Sequence, residues 1–179
     1  MRVIGGEFRG RKLKAPPGDA TRPIPDRLRE SLFNILGPRV VGCVFVDAYA
    51  GSGSVGIEAL SRGAERAVFI DRGHHAVEAI RANLAALGLE ERARVVQRSA
   101  RAELPGLAAD IVFAGPPFPA VEEFPGVLQA CQEKPPGLLI VQHPSKDLPM
   151  PDTSGRLKRF RVVTQGVNTL SFYQPEDTE

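Results

Sequence analysis

Cysteine is scarce in this chain of 179 residues, which has only Cys43 and Cys131. Set far apart, the two form neither a disulfide framework nor a zinc cluster, and they read as filler in a reducing compartment. Long hydrophobic runs are missing as well. The longest, VVGCVFV at 40–46, falls well short of the roughly 18 residues that a membrane span needs, and the opening MRVIGGEFRG lacks the apolar stretch of a secretory signal. A soluble, cytoplasmic protein is expected, bound to no membrane and no metal. Repeats and low-complexity linkers are absent too. The length suits one domain, which by ordinary surface scaling buries roughly 70% of its unfolded surface.

Net charge is also small, at +2, but it is unevenly spread. Residues 1–40 carry nine Lys or Arg against four acids, so the rest of the chain is net acidic. A second basic cluster, RLKRFR, spans residues 156–161. Together they can form the positive surface that a polyanion requires, although a charge run alone is better explained by a solvated face.

What the sequence does have is alternation. MRVIGGEFRGRKLKAPP reads as a basic hairpin around Gly5 and Gly6. TRPIPDRLRESLFNIL sets Leu28, Leu32, Ile35 and Leu36 on one helical face, with Pro25 in the first turn and Gly37 at the stop. Strands are predicted at 44–48, 67–71, 93–97, 110–114 and 138–142, with helices at 54–63 and 74–88. The segments 157–163 and 168–174 look like a closing antiparallel pair. Apolar strands separated by amphipathic helices imply an α/β domain, a doubly wound and mostly parallel sheet covered on both faces. The predicted layout is one domain over 1–179, with a hairpin extension at 1–20 and a core at 21–179.

In such a sheet a ligand sits beyond the carboxyl ends of the strands, where the winding reverses. After the first strand come Gly51, Gly53 and Gly56 in the spacing G-x-G-x-x-G, and Asp71 ends the second strand at about the interval where a carboxylate grips ribose hydroxyls. A nicotinamide-dependent oxidoreductase is one reading. Against it, Asp47 closes the first strand four residues before the first glycine, and an acid there repels a pyrophosphate. It better suits a cationic ligand such as S-adenosylmethionine. A glycine turn that merely packs helix on strand is the third reading.

The fourth strand raises a separate question. DIVFAGPPF, 110–118, runs into Gly115 and stops at Pro116 and Pro117, which can neither pair in a sheet nor continue a helix. Such an ending either only terminates a strand or holds Phe118 over something. His143 and Ser145 follow the fifth strand, and a histidine before a proline reads as a solvated loop residue. His74 and His75 read as exposed residues of a helix's first turn.

Four separated segments resemble one family. DAYAGSGSVGIEALSRGA resembles the D-x-F-A-G-S-G-x-x-G-x-E-A-L-S-R-G-A segment of the RsmD family, class I methyltransferases acting on guanine N2 of 16S ribosomal RNA. TRPIPDRLRESLFNIL, MRVIGGEFRGRKL and KRFRVVTQGVNTLSFY resemble that family's T-R-P-T-x-D-R-x-R-E-x-L-F-N stretch, its basic opening hairpin and its closing strands. The resemblance covers essentially the whole chain, in order. It implies a class I, Rossmann-like S-adenosylmethionine-dependent methyltransferase with a mostly parallel seven-stranded sheet, acting as a monomer on ribosomal RNA or the small ribosomal subunit.

Carried over by residue, the resemblance implies that Asp47, Tyr49, Gly51 and Gly53 line the methionine end of the cofactor. Asp71 would hold its ribose and Ser99 would lie near its adenine. Gly115, Pro116, Pro117 and Phe118 occupy the place of a D-P-P-F or D-P-P-Y motif, so Phe118 would stack on a guanine taken out of its RNA. Arg9, Arg11, Lys12, Lys14, Arg22, Arg27 and Arg29 would meet phosphates. Three positions depart from the pattern: Gly115 stands for Asp, Ser99 for an acid and Gln142 for Glu, and each removes a carboxylate. A slow enzyme is expected, with the carbonyl of Pro116 as surviving acceptor; an RNA-binding relative without catalysis is the alternative. Deleting residues 1–14 should weaken RNA binding and leave the cofactor site intact.

Overall fold

The computed structural model describes residues 1–18 and 23–177. Eight strands form one sheet: β1 (Val44–Ala48), β2 (Arg66–Ile70), β3 (Ala93–Val96), β4 (Ile111–Ala114), β5 (Leu138–Pro144), β6 (Thr153–Ser154), β7 (Leu157–Gln165) and β8 (Asn168–Pro175). Their order is β3-β2-β1-β4-β5-β8-β7-β6. The first five are parallel, and β8 is antiparallel to both β5 and β7. Seven strands agree with the predicted sheet. The eighth, β6, is a two-residue edge strand without a hydrophobic pattern to announce it.

Alternate residues of the strands face opposite layers, as the pleat requires. Phe45, Phe69, Ile111, Phe113, Ile140 and Phe172 pack with α1 (Asp26–Leu36), α2 (Ser54–Ser61) and α3 (His74–Leu87). Val46, Ile70, Val112, Val141 and Tyr173 pack with α4 (Ala100–Glu103) and α5 (Glu123–Ala130). Neither α4 nor α5 is read from the sequence, since α4 is one turn long and α5 carries Pro125 and Gly126 inside a short apolar stretch. Pro25 caps α1 rather than entering its first turn, and Gly37 ends it at φ +52. Ile35 is only partly buried; Phe33 completes the inner face instead.

The N-terminal segment pairs with itself through an Arg2–Lys12 bridge, so the hairpin is present as two short extended arms. It is knitted into the core. Val3 and Leu13 are buried, the backbone amides of Ile4 and Gly5 donate to the two carboxylate oxygens of Glu58 on α2 (2.9 and 2.8 Å), and Lys14 exchanges two hydrogen bonds with Asn83 on α3. Deleting residues 1–14 would therefore remove core side chains and take from the buried Glu58 carboxylate its two backbone donors, leaving Arg62 Nε as its hydrogen-bond partner, which is more than the loss of a charged surface.

Candidate active site

The winding reverses between β1 and β4. A cleft of about 1310 Å³ opens there at the carboxyl ends of the strands, where a doubly wound sheet leaves room for a ligand.

One wall is the segment after β1. Asp47 is buried at the strand's end, and its Oδ2 accepts a hydrogen bond from the amide of Gly56 (2.9 Å). Burial pushes its pKa up to about 8, against the Gly56 hydrogen bond, with neighbouring Asp71 adding to the rise. Asp71 binds the loops together, since Oδ2 accepts from the amide of Gly51 (2.9 Å) and Oδ1 from that of Gly73 (2.8 Å). Gly53 sits at φ +80, and a Cβ on Gly56 would lie 2.4 Å from the Phe69 ring. The first glycine supplies a turn that L-residues avoid; the second lets α2 lie against the sheet. The wall thus offers two acids beside a tight backbone, an arrangement suited to a ligand carrying cationic and hydroxyl groups.

Tyr49 enters the cleft with φ +61. Its hydroxyl donates to Glu123 at the start of α5, and Arg101 stands 3.6 Å from the other carboxylate oxygen. This contact ties the β1 loop to the helix that follows Phe118. Burial, reinforced by the Glu123 carboxylate, holds the Tyr49 phenol well above its ordinary range, so it remains a donor. Ser99 caps α4 and also lines the cleft.

The opposite wall is the segment 115–119 with Gln142 and Asn168. Pro116 is buried, Pro117 exposed and Phe118 half-buried against the second core layer. The two prolines follow the strand after Gly115 alone, and both line the cleft. Gln142 is 8% exposed within β5, two residues before its end, and its Nε2 donates to Asn168 Oδ1 (2.9 Å).

The family described as Conserved hypothetical protein 95 matches residues 1–174. The chain belongs to this family, the RsmD methyltransferases. The chain is 35% identical to YlbH of Bacillus subtilis, over 97% of its own length and 98% of that protein. It is 33% identical to the ribosomal RNA small subunit methyltransferase D of Haemophilus influenzae, over 97% and 93% of the two chains. The solved structure of yhhF from Escherichia coli superposes with a TM-score of 0.85 at 33% identity, covering 99% of each chain. The fold is the class I methyltransferase fold.

The basic residues that the family resemblance points to divide into two groups. Arg9, Arg11, Lys12, Lys14 and Arg27 are exposed. Arg22 lies outside the described residues. Arg29 is a correction: it is fully buried, with Nη2 bonded to the Arg2 carbonyl and to Asp26 and its Nε 3.9 Å from Glu58, so it cannot meet a phosphate. A helical arginine facing the core reads in sequence like one facing water; its partner Glu58, buried on α2, is the signal. In the second basic cluster Lys158 pairs with Glu176 and Arg159 with Asp152, which answers half of that charge.

His143 is likewise not solvated. It is 5% exposed within β5, its Nδ1 lies 2.9 Å from the Pro144 carbonyl and its Nε2 2.8 Å from the Ser171 hydroxyl. Burial lowers its pKa and keeps the ring neutral. The strand runs two residues further than its hydrophobic pattern, and the ring packs inside it. His74 and His75 stand exposed at the start of α3, both beside Glu78. Among the described residues no group of His, Cys, Asp and Glu is arranged to hold a metal, and no helix is long and apolar enough to cross a membrane.

Proposed function

We propose that this chain transfers the methyl group of S-adenosylmethionine to the exocyclic N2 of a guanine in small-subunit ribosomal RNA. The observation that carries the reading is the pairing, across one cleft, of the carboxylate wall of Asp47 and Asp71 with the proline-held loop of Phe118. The small-subunit methyltransferase named for the Haemophilus influenzae relative supplies the RNA class.

S-adenosylmethionine supplies an electrophilic methyl on a sulfonium centre. Asp47 fits its cationic methionine end, because it is a buried acid lining the cleft whose pKa burial raises although Arg29 acts in the opposite direction, so a cation brought beside it favours its ionised form. Gly51 and Gly53 leave the backbone open beside that end, and Tyr49 closes its edge. Asp71, with one lone pair on each oxygen still free after its two backbone bonds, accepts ribose hydroxyls. Ser99 offers a hydroxyl near the adenine. A pyrophosphate beside the glycine loop would meet Asp47, which disfavours a dinucleotide.

Phe118 stacks on the target base, and the Pro116 carbonyl, which has no amide partner among the described residues, accepts one N2 hydrogen. The exposed hairpin cations Arg9, Arg11, Lys12 and Lys14, with Arg27, hold phosphates; of the remaining candidates, Arg22 belongs with them by sequence. Incubation with methyl-labelled cofactor and small-subunit particles lacking the modification should label one guanine at N2. Binding without transfer would make the chain an RNA-binding relative, and calorimetric binding of NAD in place of S-adenosylmethionine would overturn the cofactor.

A further inference from the structure

The parallel register of β4 and β5 places Ala114 opposite Val141, so the next residues stand side by side, Gly115 just past the end of β4 and Gln142 still within β5, where it pairs with Leu170 of β8. By alternation both follow the face of Phe113 and Ile140, the face that also carries Asp47 at the end of β1. A Cβ built on Gly115 would lie 3.4 Å from the side-chain oxygen of Gln142, Oε1. That oxygen therefore occupies the space into which an acid at position 115 would extend. Its amide nitrogen is committed to Asn168 Oδ1 at 2.9 Å, which leaves Oε1 as the uncommitted polar atom of a residue that lines the cleft. The same oxygen has no hydrogen-bond donor among the described residues, although Gln142 is 8% exposed.

We propose that the side-chain carbonyl of Gln142 is the acceptor that grips the target N2 amine, in the place a carboxylate at position 115 would fill. The inference rests on the guanine N2 reading above. In the transfer the N2 lone pair forms a bond to the methyl carbon as the carbon–sulfur bond breaks and its electron pair returns to sulfur. The nitrogen becomes tetrahedral and positively charged, and one of its protons then passes to solvent water. A hydrogen bond from N2–H to Oε1 aims the lone pair at the methyl group and strengthens as the charge develops, so it acts mainly in the transition state. With Pro116 supplying a carbonyl to the other hydrogen, both N–H groups are gripped by neutral oxygens. A neutral acceptor is weaker than a charged one, so this arrangement works with a smaller rate advantage than a carboxylate gives.

The test compares single-turnover methyl transfer to small-subunit particles lacking the modification with the affinity for S-adenosylhomocysteine, in four variants. Gln142→Met keeps the shape of the side chain and removes the acceptor. It should slow transfer by about 10-fold, the worth of one hydrogen bond, with cofactor-product affinity within about twofold of wild type. Gln142→Glu restores an acceptor and should match or exceed wild type. Gly115→Asp should rescue the Gln142→Met protein to at least the wild-type rate, and in the wild-type background it should add a smaller gain. Undiminished transfer by Gln142→Met, failure of Gly115→Asp to rescue a folded double variant, or a loss of cofactor-product affinity equal to the loss of rate would each overturn the assignment. If wild type places no label on guanine N2, the function itself fails and the acceptor falls with it; if wild type labels N2 and Gln142→Met does so at an undiminished rate, only the acceptor fails.

Discussion

The two walls of the cleft are built on opposite principles. On the β1 side, acids are fixed by backbone amides: Asp47 by Gly56, Asp71 by Gly51 and Gly73. On the β4 side the corresponding positions are Gly115, just past β4, and Gln142, within β5, and the polar groups there are an amide pair and proline carbonyls. Acids are thus gathered where a cationic donor would bind and missing from where an uncharged amine would react. The difference teaches that binding and chemistry can be perturbed separately here. An acid on the first wall acts in the ground state, whereas an acceptor on the second acts as charge appears.

The largest expected effect lies on the charged wall. Asp71→Ala removes two backbone hydrogen bonds as well as the ribose acceptor, so S-adenosylmethionine binding should weaken by roughly 1.5 to 3 kcal/mol, about 10- to 150-fold. Calorimetry on the folded variant decides it. Unchanged affinity would mean that the two walls are not divided as described, since the best-anchored acid would then serve only the loops.

Asp47 gives the next effect, and a sign. Its folded pKa of about 8 stands above the ordinary carboxylate range, so between about pH 4 and pH 8 the unfolded chain has lost a proton that the folded chain keeps. Stability of the free protein should therefore fall as pH rises through that window, by at most about 1.4 kcal/mol per pH unit. A cationic ligand prefers the ionised acid, so cofactor affinity should move the other way, rising by up to about tenfold per unit toward pH 8 with release of up to one proton. Calorimetry in buffers of different ionisation enthalpy counts that proton. Asp47→Asn should flatten both slopes.

This division also decides what was legible in the sequence. The charged wall was readable because its devices are local: a strand, an acid, spaced glycines and a second acid at the next strand end. The family segments made them readable together. The neutral wall was not, because Gln142 and Asn168 lie 26 residues apart and meet only through the antiparallel pairing of β5 with β8. From sequence, Gln142 registers as a lost carboxylate; in the fold it points an oxygen at the vacancy beside Gly115. Arg29 failed for the same reason, since whether a helical cation faces phosphate or Glu58 depends on where α2 lies. The Tyr49 to Glu123 bond likewise joins α5, a helix whose Pro and Gly conceal it, to a loop that the motif did identify.

A smaller effect tests whether the neutral wall is a compromise. Gly115→Asp meets ordinary contacts at its Cβ, 3.4 Å from Gln142 Oε1 and from the Phe113 ring, and the backbone there needs no left-handed conformation. The exchange of a neutral for a charge-assisted acceptor should raise the single-turnover rate by about 3- to 10-fold, with cofactor affinity unchanged. A wild-type rate in that variant would show that the amide already supplies what the chemistry needs.

The smallest effect concerns the surface that brings RNA to both walls. Since Val3, Leu13 and the Glu58 clamp make the hairpin part of the core, its truncation confounds folding with electrostatics. Removing single exposed charges does not. Arg9 and Lys12 are exposed at the hairpin's turn and second arm and form no ion pair among the described residues, whereas the Arg11 guanidinium is bonded to the carbonyl of Ala86. Lys12→Ala should therefore lower the magnitude of the slope of log affinity against log salt by about one if that lysine meets one phosphate, and weaken RNA binding equally across sequences. Arg9→Ala should do the same, and the pair should add, because separated phosphate contacts release their counterions independently. Cofactor affinity should stay constant in all three proteins. If the salt slope is unchanged in the double variant, Arg9 and Lys12 only solvate the hairpin, and phosphate contacts fall to the other candidates, Arg11, Lys14, Arg22 and Arg27.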